Sequence, residues 1–343
     1  MRKNPELTRF ERDWGIHTLA MDYMPDDVSM AMDAQPAPIT SANSGIPVFM
    51  YNYVDPEAIR ILQAPNEGAN ILGERKNGNW LTKTLYFPTI ENTGRVAAYG
   101  DHSTNGKSNA NANYPVRQPF NFQTIIQYGD YETAMAAEAK LNWVSENQVS
   151  AASTLDKFMD LTYHFGVAGL QNEGLLNAAG LPAALTPSTK ANGGTVWMSS
   201  TGVQNATPNE VYTDIQSLVN NLLIHARGRI QSTDKFSLTM APGSQGALNA
   251  ANSFNVSPTD LIKKNYPNME IKVSARYATA AGNVVQLFAD KFGGKDTGYC
   301  VFTEKMRDFP VIRELSGFVQ KKMAGTGGFV LRYPIGAAQM IGV

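Results

Sequence analysis

Apolar residues recur at helical spacing between residues 149 and 165, which predicts one long amphipathic helix. The recurring positions are Val149, Ala152, Leu155, Phe158, Met159, Thr162 and Phe165. Charged residues fall on the other face, at Asp156, Lys157 and Asp160. A helix with one apolar face packs that face on a core, so we expect this face to lie against a sheet. Four side chains are expected to be the buried ones: Leu155, Phe158, Met159 and Phe165.

The ends of this helix are also marked in the sequence. Ser145 and Gln148 have the spacing of a capping box, in which both side chains satisfy backbone groups of the first turn. Gly166 and Gly169 predict its end, because glycine takes the left-handed cap conformation without steric cost. A Gly-Leu-Leu-Asn stretch, residues 174–177, follows shortly afterwards.

A long polar segment precedes the helix. Threonine and aromatic residues from Trp80 to Pro88 predict a strand, and Phe120 to Tyr128 predict the strand that returns. The polar tip between them offers almost no apolar area to bury, and a connection this long without a core indicates function or disorder. Seven of its residues are our candidates for contacts with other chains: Asp101, His102, Asn105, Lys107, Asn109, Asn111 and Asn113.

Helices and strands alternate in the rest of the chain. We predict a helix over 131–143, and another after Thr207-Pro208, where Glu210 completes a capping signal. Further elements over 180–300 are a strand at 236–240, a helix from Ser257, and strands at 271–273 and 284–288. This alternation predicts an α/β lobe. A closing strand is predicted over 327–335, after a turn at 325–328.

Residues 1–47 lack sustained periodicity and are rich in proline, so they have little reason to fold alone. They read either as an extended arm that lies on another surface or as a disordered leader. No apolar run has the length of a signal peptide core or of a membrane span. We therefore expect neither export nor a membrane partner.

Composition narrows the functional classes. A chain of 343 residues exceeds the size at which single cores stop growing, so more than one domain is expected. The net charge of -1 gives no global basic field for nucleic acid. Cys300 is the only cysteine, which excludes an internal disulfide and a multi-thiolate zinc site. We expect it to pack as a small hydrophobe.

Motifs of catalysis are missing from the sequence: no nucleotide-binding glycine pattern, phosphate loop, H-E-x-x-H or G-x-S-x-G. None of the four histidines has another at metal-ligand spacing. His164 falls in the last turn of the long helix, where partial negative charge favours a cation, so we expect a structural role. Asp22, Asp26 and Asp27 lack the pattern of a calcium loop. We expect no catalytic residue, no metal and no cofactor.

The polar hairpin, the long helix and its Gly-rich exit with Leu-Leu-Asn resemble major capsid proteins of tailed bacteriophages. Their Hong Kong 97-like fold is shared with encapsulin shells. The resemblance implies an α+β fold in which the long helix is the spine helix. It implies the following division: an N-terminal arm (1–50), a peripheral domain (51–79 and 124–172), an extension loop (80–123), an axial domain (173–305) and a C-terminal return to the peripheral domain (306–343).

The resemblance also implies a function. Pentamers and hexamers of this chain would form an icosahedral head around double-stranded DNA, bound without sequence specificity. Portal, scaffolding and decoration proteins are the further partners it implies, with synthesis in the bacterial host cytoplasm and residence in the virion. Three alternatives stay open: an encapsulin-like nanocompartment shell, a soluble α/β enzyme with an unrecognised site, and an oligomeric tail or decoration component.

Overall fold

The computed structural model describes residues 66–139, 141–199 and 201–343. The predicted N-terminal arm and residues 51–65 lie outside the described residues. The helices are α1 Gly68–Leu72, α2 Asp130–Glu138, α3 Trp143–Phe165, α4 Pro208–Ala226, α5 Pro242–Asn249 and α6 Pro258–Asn265. The strands are β1 Glu74–Lys76, β2 Leu85–Tyr86, β3 Thr89–Gly94, β4 Ser108–Asn113, β5 Val116–Arg117, β6 Phe120–Gly129, β7 Phe236–Met240, β8 Met269–Val273, β9 Ala278–Thr279, β10 Gly282–Ala289, β11 Lys291–Phe292, β12 Lys295–Asp296, β13 Gly298–Asp308, β14 Ile312–Glu314, β15 Gly317–Leu331 and β16 Ala337–Ile341.

The first sheet is built around β15, which pairs with β6 on one side and with β13 and β14 on the other. β1 adds to β13 in parallel. The helix α3 packs across β15 and β6. This position follows from alternation in β6, whose buried Phe122 and Ile126 are separated by polar or exposed residues and give the strand one apolar face.

The start of α3 differs from the prediction. Its N-cap is Asn142, whose side-chain oxygen accepts a hydrogen bond from the Ser145 backbone N–H at 3.3 Å. Gln148 does not close a capping box on Ser145. Its amide instead donates to Gln320 of β15 at 2.7 Å. The predicted helix over 131–143 was too long, since α2 ends at Glu138 and residue 143 already belongs to α3. Gly166 ends α3 as predicted, at φ +68°.

The predicted return strand of the hairpin was assigned the wrong partner. Residues 120–129 pair with β15 over their whole length and not with the segment from Trp80 to Pro88. The hairpin is made instead by β3 with β4, above a short β2–β5 pair at its base. The apolar face of β6 explains the difference, because it finds a core only beneath α3.

The second sheet has the order β16-β10-β7-β8, with β9 added to β10. It contains the strands predicted at 236–240, 271–273 and 284–288. The capping box of Thr207 and Glu210 begins α4, and that of Ser257 and Asp260 begins α6. Leu218, Leu222 and Phe236 belong to a core between this sheet and its helices. A further core, which includes Leu155 and Phe288, joins this sheet to the first one and to α3.

The C-terminal part of the chain departs most from the predicted division. β13 lies in the first sheet, although most of it falls within the predicted axial segment 173–305. β16 pairs with β10 in the second sheet, so the predicted return segment 306–343 ends in the other sheet. The five residues between Leu331 and Ala337 carry the chain from one sheet to the other.

The predicted turn at 325–328 was wrong. These residues lie inside β15, where pairing shifts from Val301–Gly328 to Phe302–Thr326 and leaves Gly327 as an extra residue. Such a bulge needs glycine: Gly328 has φ +70°, and a Cβ on Gly325 would clash with the Thr303 hydroxyl. The glycines therefore serve close packing within a strand.

Candidate assembly surfaces

The β3–β4 hairpin has two different faces. Residues directly opposite in an antiparallel pair lie on the same face. The register therefore places Thr89, Glu91 and Thr93 on one face with Asn113, Asn111 and Asn109. Ile90, Asn92 and Gly94 lie on the other with Ala112, Ala110 and Ser108. Of the seven candidate residues, three thus share one polar face.

The other four candidates lie at the hairpin tip, beyond the paired strands. Asp101 accepts a hydrogen bond from the Tyr99 hydroxyl at 2.8 Å. The Lys107 carbonyl accepts from the Arg95 backbone N–H at 2.9 Å and continues the ladder by one step. His102 and Asn105 lie between them, and all four are exposed. Every residue from 88 to 115 is exposed, so the whole hairpin projects from the subunit.

The four candidate core residues of α3 are placed unequally. Leu155 and Met159 are each 3% exposed and belong to the core beneath the first sheet. Phe158 is half-buried, and its ring lies 4.5 Å from that of Phe122. Phe165 is also half-buried, at the end of the helix. Val149 was expected on the buried face but is 45% exposed, because the face that packs is centred on Leu155, Met159 and Thr162.

A buried polar cluster occupies the C-terminal end of α3. Asp160, expected on the solvent face, is 4% exposed and accepts from the Gly68 backbone N–H at 2.8 Å. His164 is fully buried. Its Nδ1 lies 2.8 Å from the Asp160 carbonyl oxygen, and its Nε2 lies 2.9 Å from the Ser274 hydroxyl. Burial lowers the pKa of His164 and outweighs the nearby Asp160 charge, which acts in the opposite direction, so the ring is not the cation that its place at the helix end favours.

A second polar cluster holds the segment that precedes α4. Lys190 and Asp214 form an ion pair in which both side chains are almost fully buried. Asp214 also accepts hydrogen bonds from Ser188 at 2.7 Å and from the Trp197 indole at 2.8 Å. Every charge in the cluster therefore has a partner, which is the condition for a buried ion pair to be tolerated.

The described residues form neither a metal site nor a reactive cysteine site. They contain no group of three acidic, histidine or cysteine side chains that could hold a metal ion. Cys300 is fully buried, and burial raises the pKa of its thiol, which keeps it protonated and unreactive. No helix in the described ranges is long and apolar enough to cross a membrane.

Comparison with protein families identifies the class of protein that presents this exposed hairpin. The Pa193 gp26 major capsid protein family matches residues 37–342. The chain belongs to this family. It is a major capsid protein of a tailed phage and a structural subunit of the virion shell. No curated protein matches the sequence.

Solved structures show that the capsid protein has the Hong Kong 97-like fold, as predicted. The capsid of Myoviridae phage XM1 superposes with a TM-score of 0.71 at 12% identity, covering 87% of this chain and 99% of that one. The capsid of a native GTA particle gives 0.59 at 8% identity, with 89% and 100% covered. The capsid of cyanophage P-SCSP1u gives 0.54 at 10% identity, with 89% and 97% covered.

One exposed region of the capsid protein was missed by the sequence reasoning. Helix α2 has no buried residue, and its Tyr131 and Met135 are exposed. The turn from β14 to β15 lies beside it, since the Asp130 N–H donates to the Ser316 carbonyl oxygen at 2.9 Å. Leu315 in that turn is fully exposed. The available signal was composition: α2 is rich in alanine and has no apolar face.

Proposed function

We propose that this capsid protein assembles through pentamers and hexamers into an icosahedral shell that encloses double-stranded DNA, and that its hairpin lies on a neighbouring subunit. The observation that carries the proposal is the continuous exposure of residues 88–115. A two-stranded hairpin without a core is at best marginally stable in water. A partner surface would supply the contacts that its own subunit does not.

The shape of the hairpin supports contact across a subunit boundary. Pentamers and hexamers made from one sequence require the same contact at slightly different angles. A thin projection can keep its contacts while the two sheets and their helices tilt. The asparagine face offers donors and acceptors for hydrogen bonds, and the opposite face offers the apolar side chains of Ile90, Ala110 and Ala112. Each contact is weak, but many copies add up in a closed shell.

Near-neutral charge supports a container for DNA rather than a specific binder. The net charge of -1 gives little counterion release, the main driving force for binding nucleic acid. We propose that DNA is confined without sequence-specific contacts and that the protein is made in the host bacterial cytoplasm. We also propose that it has no catalytic role and meets portal, scaffolding and decoration proteins during assembly.

Excision of the hairpin tests the proposal. Residues 89–113 are replaced by a short Gly-Ser turn, which keeps the β2–β5 pair that closes the base. The subunit should remain folded by circular dichroism and lose the ability to form shells in electron micrographs. A cut at Asp101 to Tyr114 would be less clean, because it removes β4 and leaves β3 without a partner.

A matched variant replaces only the tip, residues 97–105, and keeps both strands. If the strands make the contact, this variant should assemble with a lowered shell melting temperature. If the variant without residues 89–113 forms shells as the wild-type protein does, the proposed role of the hairpin is refuted. Treating purified shells with nuclease and then extracting them should release protected double-stranded DNA; an enclosed enzyme instead would identify a nanocompartment.

A further inference from the structure

The outer strand β6 leaves one edge of the first sheet without a partner strand among the described residues. It pairs with β15 through all ten of its residues, and the described part of the chain places no strand on its other side. In an antiparallel pair, the backbone N–H and C=O groups of alternate residues point away from the paired strand. The free edge of β6 is therefore a template on which a further strand can form hydrogen bonds.

The sequence of β6 lacks the devices that protect other sheet edges. Charged side chains on an outer strand discourage a second chain from pairing with it. Three other outer strands, β1, β8 and β14, carry such residues: Glu74, Arg75 and Lys76; Glu270 and Lys272; Arg313 and Glu314. β6 has neither charge nor proline, and its register with β15 runs without a bulge. Its edge is thus open to pairing.

Apolar side chains flank this open edge on both faces of the sheet. On the face covered by α3, the rings of Phe120 and Phe122 lie 6.1 Å and 4.5 Å from the ring of Phe158. Phe120 and Phe158 are only half-buried. On the opposite face, Ile125 is 57% exposed. A strand added here would bury apolar area on both of its faces in addition to pairing its backbone.

A segment with matching properties precedes the described residues. Residues 48–54 read Val-Phe-Met-Tyr-Asn-Tyr-Val, with a proline before them and Asp-Pro after them. β-branched and aromatic residues of this kind favour strands. Alternation would place Phe49, Tyr51 and Tyr53 on one face and the other side chains on the opposite face. The hairpin strands β3 and β4 are weaker candidates, because they contain asparagine and glycine, which are depleted in strands.

We propose that residues 48–54 of a neighbouring subunit add to the edge of β6 as a further strand, with their aromatic side chains turned towards Phe158 and α3. The inference rests on the proposed assembly into shells. The ten residues of β6 are enough to pair with the whole segment. Backbone hydrogen bonds would supply the affinity, and alternate side chains would fix the register.

The place where the described chain begins favours a neighbour over the segment's own β6. Asn66 is hydrogen-bonded to Asp156 of α3, and α1 packs on β13. β13 and β6 flank β15 on opposite sides, so the chain enters across the sheet from the open edge. Residues 55–65 connect the segment to Asn66 and reach only about 16 Å as a helix, the conformation that their sequence signals. Its own β6 edge lies beyond α3, which is itself about 10 Å across.

Pairs of cysteines in assembled shells test the added strand. Residues directly opposite on neighbouring strands have Cβ atoms about 4.5–5.5 Å apart, close to the reach of a disulfide. Ile125→Cys is combined in turn with each position expected on its face: Val48→Cys, Met50→Cys, Asn52→Cys and Val54→Cys. At least one pair should join chains into covalent multimers on a non-reducing gel.

Matched controls use the opposite face of the segment. Ile125→Cys combined with Phe49→Cys, Tyr51→Cys or Tyr53→Cys should remain monomeric on the same gel. The native Cys300 is buried and adds no accessible thiol.

Hydrogen–deuterium exchange of the wild-type protein gives an independent measurement. About half of the amides in 120–129 point to the open edge and should exchange at least tenfold more slowly in shells than in unassembled subunits. A peptide over 236–240, in the centre of the second sheet, should not change.

The possible results separate the added strand from its alternatives. Unchanged exchange of 120–129 on assembly overturns the proposal. Slower exchange without a covalent multimer would indicate another occupant, such as a hairpin strand, and overturns the assignment to 48–54. Disulfides within single chains, or multimers only from the control pairs, also overturn it. A wild-type protein that forms no shells would refute the proposed function itself, whereas shells without these signs refute only the added strand.

Discussion

The hairpin and the buried polar cluster at the C-terminal end of α3 are both rich in polar residues, and they have opposite surroundings. On the hairpin, Asn109, Asn111 and Asn113 are exposed to solvent, and the side chains of Asn109 and Asn113 accept hydrogen bonds from the backbone N–H of the next residue. In the cluster, Asp160 and His164 are buried, and each has hydrogen-bond partners. The same kinds of side chain thus stabilise the fold in one region and remain available to other molecules in the other. What separates the two cases is whether distant parts of the chain cover them.

The difference between covered and uncovered positions should be greatest along α3. Leu155→Asp places a carboxylate without a partner in the core and should cost several kcal/mol, much of a domain's stability. We expect insoluble or unassembled protein. Val149→Asp introduces the same charge on the same helix at an exposed position and should leave the subunit folded. Chemical denaturation of both variants checks this, and equal loss of stability would mean that the helix packs through a different face.

Two lysines extend the comparison to charged groups. Lys190→Met leaves Asp214 buried without its cation and should lower the free energy of unfolding by about 3–5 kcal/mol. Lys107→Met at the hairpin tip should change it by less than about 0.5 kcal/mol. Thermal unfolding of unassembled subunits measures both. A small effect at Lys190 would show that the hydrogen bonds from Ser188 and Trp197 are enough to hold Asp214.

The start of α3 offers a smaller test of the same distinction. Asn142→Ala removes the cap that accepts from the Ser145 N–H and should cost about 1 kcal/mol. Ser145→Ala keeps the backbone N–H that is capped and replaces serine with a better helix former, so a gain in stability of a few tenths of a kcal/mol is expected. The two melting temperatures compare them directly. A larger loss of stability for Ser145→Ala than for Asn142→Ala would support the capping box predicted from the sequence.

The smallest effect on folding is expected on the hairpin. Asn111→Ala should change the stability of the unassembled subunit by less than about 0.5 kcal/mol, because the side chain is exposed to solvent. The melting temperature of assembled shells should nevertheless fall if its face lies on a neighbour. Ala112→Ser, on the opposite face, is the control. A drop only for the control would identify the alanine face as the one in contact.

Local signals in the sequence predicted local structure well. The helix starts at Thr207 and Ser257 were found because each signal lies within four residues. Asn142 was missed because Ser145 and Gln148 offered a competing pattern of the same kind. The order of elements, and with it the Hong Kong 97-like fold, could be inferred from such signals together with family resemblance.

Long-range pairing could not be inferred in this way. Asp160 was assigned to solvent because a charge on a helix is usually exposed, but its partner Gly68 lies 92 residues earlier. β6 was matched to the nearest strand, whereas its partner β15 is almost 200 residues away in the chain. The seven hairpin residues were placed on a projection, but which face or tip contacts a neighbour depends on a second copy of the chain. Those contacts stay a prediction.

The position of Cys300 has a consequence for the chemical durability of the shell. It is the only cysteine of the chain, it is fully buried, and its thiol points to the Gly68 carbonyl oxygen beneath α1. A closed shell of folded copies therefore presents no thiol to oxidants or to neighbouring copies, and disulfides cannot join its subunits. A thiol reagent can reach the Cys300 sulfur only when α1 moves away from it. The rate of labelling therefore reports how often this part of the subunit opens.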